Sequence, residues 1–284
     1  NAEFTESGWG LDSFDSDGFT LLDDATNRLY FNQTGQNYVS WNWLAGGTAV
    51  SNTDGSITSS VSANTKAGIS VATWTGNATA GATIGHGLNS APEIFWIKDR
   101  DDSGYNWIVY SKDVGNDRYL LLNSTNAQSS SGQAFLNSTT PSNSVVTLGG
   151  TGWGLNQSGD SHVGYFFHSV DGYSRVGTYT GNGSTDGTFV YTGFRPAWVM
   201  VKTTSTTNRW VLFDSARSPN NPVEEGQELN PNDATAEVAS GTDCFDFLSN
   251  GFKLRRTGDV FNTSGHVYIY LAFAEQPFKY SNAR

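Results

Sequence analysis

The sequence predicts an all-β protein built of tandem antiparallel β-sandwich domains, the first of them incomplete. Three observations predict it. Short runs rich in β-branched and aromatic residues alternate with Gly, Asn, Asp and Pro turns along the chain. No stretch sustains a helical period of apolar residues. Finally, one strand–turn–strand pattern, Ile69–Lys98, returns about 105 residues later within Gly172–Lys202. The two copies match at Trp74 with Tyr179, Gly76 with Gly181, Asn77 with Asn182, Pro92 with Pro196 and Lys98 with Lys202.

Taken in order, residues 1–46 read as the C-terminal half of a first β repeat. Phe14–Leu21 (FDSDGFTL) matches Phe247–Leu254 (FLSNGFKL), and Leu148–Leu155 (LGGTGWGL) reads as the middle copy. Tyr38–Trp43 (YVSWNW) matches His162–Phe167 and His266–Leu271 and reads as a core strand. A half sandwich cannot bury its own face, so the missing strands are expected from upstream or from another chain. The first residue is Asn1 and the single methionine is Met200, which fits a processed product or a piece of a longer polypeptide.

Residues 47–66 are Ser/Thr-rich and read as an inter-repeat linker or an extended segment on a neighbour's surface. Residues 67–171 form the expected second sandwich, with strands at Trp107–Lys112 and Tyr119–Asn123 and a polar surface loop at Ser124–Ser142. Residues 172–284 form the third repeat and a C-terminal tail, with Trp210 matching Trp107. No insert separates these last two units, which predicts tight coupling between them.

The formal net charge is −11 and no cluster of Lys and Arg exceeds the Arg255-Arg256 pair, which argues against a nucleic-acid partner. No apolar run is long enough for membrane insertion as a helix. Cys244 is the single cysteine, so it has no internal disulfide partner and reads as a small buried hydrophobe. No motif calls for a cofactor.

Asp99, Asp101, Ser103 and Gly104 fall on the spacing of a Ca²⁺ loop, with Asp102 beside them, but the twelfth position is Tyr110 rather than a bidentate Glu. A hairpin turn without a high-affinity metal is the favoured reading. His86, between glycines, reads as a turn residue, and His162, His168 and His266 as structural. Glu93, Asp171, Asp214, Asp246 and Glu275 are the acids from which a glycoside hydrolase would draw its pair, yet none sits in a motif. Aromatic rings that stack on sugars offer another route to function. Trp9 and Trp153, each between glycines, are the ligand-binding candidates, whereas Trp41, Trp43, Trp74, Trp107 and Trp210 lie in strand runs and read as core.

With the repeats laid out, the sequence resembles the virion structural, tail-fibre-like proteins of marine tailed bacteriophages. The resemblance is carried by Trp41–Ala72, Thr83–Leu88 (TIGHGL), Gly172–Lys202, Phe247–Leu254 and Tyr268–Arg284. It implies a jelly-roll or lectin-like β-sandwich and a place on the surface of the virion. It also implies self-association in a fibre, with a trimer expected, or binding to other virion proteins, and contact with host-surface glycans. It implies no catalytic residue. The competing expectations are a polysaccharide-degrading glycoside hydrolase and a bacterial surface adhesin.

Overall fold

The computed structural model describes residues 10–22, 32–237, 242–258 and 260–276. Among them the chain is all-β: twenty strands and two single-turn 3-10 helices, Gly132–Ala134 and Gly152–Gly154. The first two strands, β1 (Gly10–Phe14) and β2 (Phe19–Leu22), form a hairpin of their own.

The next ten strands build one unit. They are β3 (Val50–Asn52), β4 (Ser59–Asn64), β5 (Ile69–Thr75), β6 (Thr83–Gly85) and β7 (Ile94–Asp99), then β8 (Ile108–Ser111), β9 (Arg118–Leu121), β10 (Ser129–Ser130), β11 (Val145–Thr147) and β12 (Ser161–Phe167). Eight of them form a sheet in the order β10-β9-β8-β7-β12-β5-β4-β3, faced by the short pair β11-β6. The other unit contains β13 (Ser174–Thr180), β14 (Phe189–Tyr191), β15 (Pro196–Thr203), β16 (Val211–Asp214), β17 (Val223–Glu224), β18 (Asp243–Leu248), β19 (Gly251–Leu254) and β20 (Val267–Ala274). Its two sheets run β13-β20-β15-β16 and β14-β19-β18-β17.

The two main sheets share a strand order: β5-β12-β7-β8 in one, β13-β20-β15-β16 in the other. Their ladders also share cross-strand contacts. His162 lies opposite Trp74 and Asp99. Tyr268 lies opposite Tyr179 and Thr203. Trp74 stacks on His162 with ring centroids 5.5 Å apart, as Tyr179 stacks on Tyr268 at 4.9 Å. His162 therefore corresponds to Tyr268, two residues further on than the match with His266. The slip of two preserves which side chains face inward, because strand side chains alternate with period two.

Other expectations need correction. Residues 47–66 are not a linker: β4 pairs with β5, β3 pairs with β4, and Ile57 bridges to Ile84. β3 is the edge strand and β4 lies between it and β5, with Ser59 and Val61 buried and Ser60 exposed, the alternation of an antiparallel sheet with one face toward water. Tyr38–Trp43 is not a strand, although Trp41 and Trp43 pack on neighbouring residues. The partner of Phe252 on β19 is Val146 on β11, since Val146 lies opposite Ile84 as Phe252 lies opposite Val190. Leu148–Leu155 is thus not the middle copy of FLSNGFKL. The tract Ser124–Ser142 is not only surface loop: Phe135 and Leu136 are fully buried. Phe135 packs against Tyr110, the place that Phe245 of β18 takes against Phe213.

Both units close with the same asparagine latch. Asn156 accepts the Asn77 N–H at 2.8 Å and donates to Thr79 O at 3.0 Å. Asn262 accepts the Asn182 N–H at 3.0 Å and donates to Ser184 O at 2.9 Å. Gly76 and Gly181 must lack a Cβ, which would strike the carbonyls of Gln157 and Thr263.

Each unit has a sandwich core. Phe95, Ile97, Tyr110 and Phe166 point into one, and Val199, Val201, Tyr268 and Tyr270 into the other. The opposite faces of the same strands meet in a third core. There Ile94, Val109 and Phe167 pack on Trp198, Met200, Trp210, Ile269, Leu271 and Phe273. The expected tight coupling is therefore a shared apolar layer, each large side chain contributing roughly 1.5–3 kcal/mol on burial. Polar contacts reinforce it. Trp210 Nε1–H donates to Leu121 O at 2.8 Å. Thr125 O accepts from the Asn208 N–H at 2.7 Å and from Lys202 Nζ at 3.3 Å. Burial lowers the Lys202 ammonium to about 8. Trp107, matched to Trp210 by sequence, is only half-buried.

Candidate functional site: an aromatic groove between the units

The shared layer is not closed along its whole length. Beside it lies a groove of 440 Å³ lined by Trp41, Trp43, Trp96, Trp198, Phe273 and Asn230, among others. Each wall has a local cause. Trp96 and Trp198 project from β7 and β15 on the side away from the sandwich cores. Trp41 and Trp43, two residues apart in a segment without regular secondary structure, lie over the same layer. Trp43 meets Trp198 edge-on at 5.5 Å and Phe273 at 5.3 Å. The remaining side is the segment Leu229–Thr235, pinned by the Leu212–Leu229 bridge and by Asn232 Oδ1, which accepts the Trp210 N–H at 2.8 Å. Asp233 caps its own turn, accepting from the Thr235 N–H and hydroxyl, and these bonds lower its pKa.

The residues singled out from sequence fall elsewhere. Trp9 lies outside the described residues. Trp153 sits half-buried in a 3-10 turn at φ 75°, its ring 4.5 Å from that of Tyr119, and belongs to the first sandwich core rather than the groove. Trp74 and Trp210 are buried as expected, but Trp41, Trp43 and Trp107 are only partly so. Trp96 and Trp198 escaped notice. Their signal was present: IFWIK and AWVMVK are apolar on both alternating faces, the mark of a strand covered on both sides.

The aspartates that end and follow β7 cap a turn between β7 and β8, as the hairpin reading required. Asp99 Oδ1 accepts the N–H groups of Asp101 and Asp102, each at 3.0 Å. Asp101 Oδ2 accepts the Ser161 N–H at 2.6 Å, the contact that most lowers its pKa. Asp102 Oδ1 accepts the Gly104 N–H at 2.6 Å. Among the described residues no group of three or more His, Cys, Asp or Glu is placed to hold a metal.

His86 is fully buried, not merely a turn residue. Its Nδ1 accepts the Leu88 N–H and its Nε2 faces Ser142 O, each at 3.2 Å, which fixes the neutral tautomer protonated on Nε2. Desolvation lowers its pKa to about 4. His162 is buried against Trp74 with Nε2 3.6 Å from Asp99 Oδ2; desolvation is the main cause of its lowered pKa. Burial pushes the Cys244 thiol up, so it is an inert core residue.

The acids weighed for hydrolysis are engaged. Glu93 pairs with Lys112 at 2.6 Å and also takes the Ser169 hydroxyl. Asp214 pairs with Arg217 at 2.6 Å, Asp246 with Arg255 at 2.5 Å and Glu275 with Arg195 at 2.8 Å. Asp171 lies exposed at the junction of the units. No helix among the described residues is long and apolar enough to cross a membrane.

The model of a protein family described as a domain of unknown function, DUF7483, matches residues 1–277. The chain belongs to the DUF7483 family. No curated protein and no solved structure matches the DUF7483 chain. The groove and the shared apolar layer lie wholly within the DUF7483 match.

Proposed function

We propose that this chain is a non-catalytic structural and adhesive protein of a bacteriophage virion surface, a fibre or appendage component made of tandem jelly-roll or lectin-like sandwich repeats. The observation that carries this reading is the division of labour among its side chains. Glu93, Asp214, Asp246 and Glu275, all weighed for hydrolysis, are each tied to a Lys or Arg, while large apolar side chains stay at the surface of the N-terminal segment. Phe14 is 82% exposed, Leu44 80% and Val50 65%. Such side chains fit burial against a neighbouring subunit, and two sandwiches welded by one layer make a stiff building block. The sequence resemblance to tail-fibre-like proteins supports the same reading, as does the matching strand order of the two units.

Immunogold labelling of purified phage particles that encode the chain tests the proposal, with sedimentation of the isolated chain alongside. Label on an external appendage, with a trimer in solution, is expected. Particles that lack the protein would overturn the reading.

A further inference from the structure

The two units differ along one edge. In the first, the segment from Ile57 to Asn64 seals the open side of the sandwich. There β4 pairs antiparallel with β5, Thr83 O of β6 accepts the Ile57 N–H at 2.9 Å, and Gly85 O accepts the Ser59 hydroxyl at 2.7 Å. The corresponding strands of the other unit are β13 and β14, since Tyr179 takes the place of Trp74 and Val190 that of Ile84. Here the chain passes from β12 to β13 through a short turn, and no hairpin is left to cover the edge.

Backbone groups therefore face outward. In an antiparallel pair alternate residues turn their N–H and C=O groups away from the partner strand. On the outer side of β13 the Ser174 N–H donates to Val170 O and the Val176 N–H to Ser169 Oγ, each at 2.9 Å. The next in the alternation are Thr178 and Thr180, exposed residues with no strand beside them among the described residues. Beside β19, Thr188 O accepts the Leu254 N–H and the Thr192 N–H donates to Asn250 O, which turns the peptide groups of Phe189 and Tyr191 outward in the same way.

An open edge invites another strand, and folded proteins block such edges. The far edges of this chain are blocked. β17 is two residues long, with a register shift and Pro222 before it; β10 is two residues long; β16 is bridged at Leu212 by Leu229. From Thr178 to Thr180, and along β3, there is no charge, proline or register shift. β3 is the last strand of the eight-stranded sheet, with Val50 65% exposed.

We propose that β3 of one copy adds to the free edge of β13 in the next, as β4 adds to β5, so that copies join head to tail through continuous sheets. A contact between two different patches closes into a ring or grows into a filament. This rests on the fibre reading above and assigns its subunit contact.

Sedimentation of the whole chain over a range of concentrations tests it. Thr178→Pro removes an N–H that β20 does not use, and Val50→Lys sets a charge on an exposed position of β3. Each variant alone is expected to self-associate at least tenfold more weakly than the parent chain. Mixed in equal amounts they should form a dimer, because the first keeps an intact β3 and the second an intact β13. If Thr178→Pro fails to fold, as judged by its urea midpoint, Thr178→Lys takes its place. A chain that stays monomeric at every concentration overturns the proposal, as does a mixture that forms no dimer. So does a dimer that Thr178→Pro dissolves and Val50→Lys leaves intact, the mark of β13 pairing with β13 across a two-fold axis. Self-association unchanged in both variants removes this contact and leaves the fibre reading standing. Absence of the chain from phage particles removes the virion reading whatever the edges pair with.

Discussion

Replacing Asn156 by Ala should cost the β3–β12 unit several hydrogen bonds and little else. Asn156 is fully buried. Its Oδ1 accepts the Asn77 N–H at 2.8 Å, and its Nδ2 donates to Asn77 Oδ1 at 3.2 Å and Thr79 O at 3.0 Å. Each bond contributes about 1 kcal/mol net, and a buried group left unmatched costs about 1–3 kcal/mol. Water entering the vacated space recovers part of that, so the expected loss is about 2–4 kcal/mol. Asn262→Ala should lose as much or more, because Asn262 Nδ2 donates to Arg256 O at 2.6 Å as well. The latches sit in different units, so the double variant should lose roughly the sum. Urea unfolding followed by tryptophan fluorescence reads the effect as a drop of roughly 1 M in midpoint at unchanged slope. Asn156→Asp keeps the acceptor but sets a carboxylate beside Thr79 O, and should be no better than Ala. A loss below about 0.5 kcal/mol for either alanine variant would refute the reasoning, because the latch would then be decoration rather than closure.

Three further outcomes are expected. His86 is neutral in the fold, with a pKa lowered to about 4 by desolvation. The unfolded chain therefore binds the extra proton between that value and about 6.5, and the stability contributed by His86 is present above about 6.5 and lost as pH falls toward 4, up to about 3 kcal/mol. His86→Gln should flatten urea midpoints across that window, and an unchanged slope would count against it. Trp210→Ala should destabilise by about 3–5 kcal/mol and Trp107→Ala by clearly less, because only Trp210 is fully buried and bonded to Leu121 O; equal losses would contradict the half-buried placement of Trp107. Calorimetry should give no tight Ca²⁺ binding at Asp99, Asp101 and Asp102, whose oxygens cap backbone N–H groups; tight binding lost in Asp101→Ala would reverse this.

The sequence by itself determined the class of fold and much of its internal correspondence. Alternation of β-branched and aromatic residues with turn residues sufficed for strands. The latch glycines Gly76 and Gly181 and their neighbours Asn77 and Asn182 match in the sequence alone, because a close backbone approach demands the same small residue twice. Tertiary structure decided three things that local pattern cannot encode. Register within a repeat was one: sliding β20 by two residues leaves every inward side chain inward, so His266 and Tyr268 were equally good partners for His162 until the ladder chose. The fate of Ser59–Asn64 was another, since a Ser-rich run gains strand structure from the ladders with β5 and β3 on either side of it. The groove was the third. Trp41 and Trp43 stand far along the chain from Trp96 and Trp198, and only the docking of one sheet's outer face on the other brings the four rings together. Burial on both faces of a strand is written in its composition, but which surface covers it is set by the whole fold.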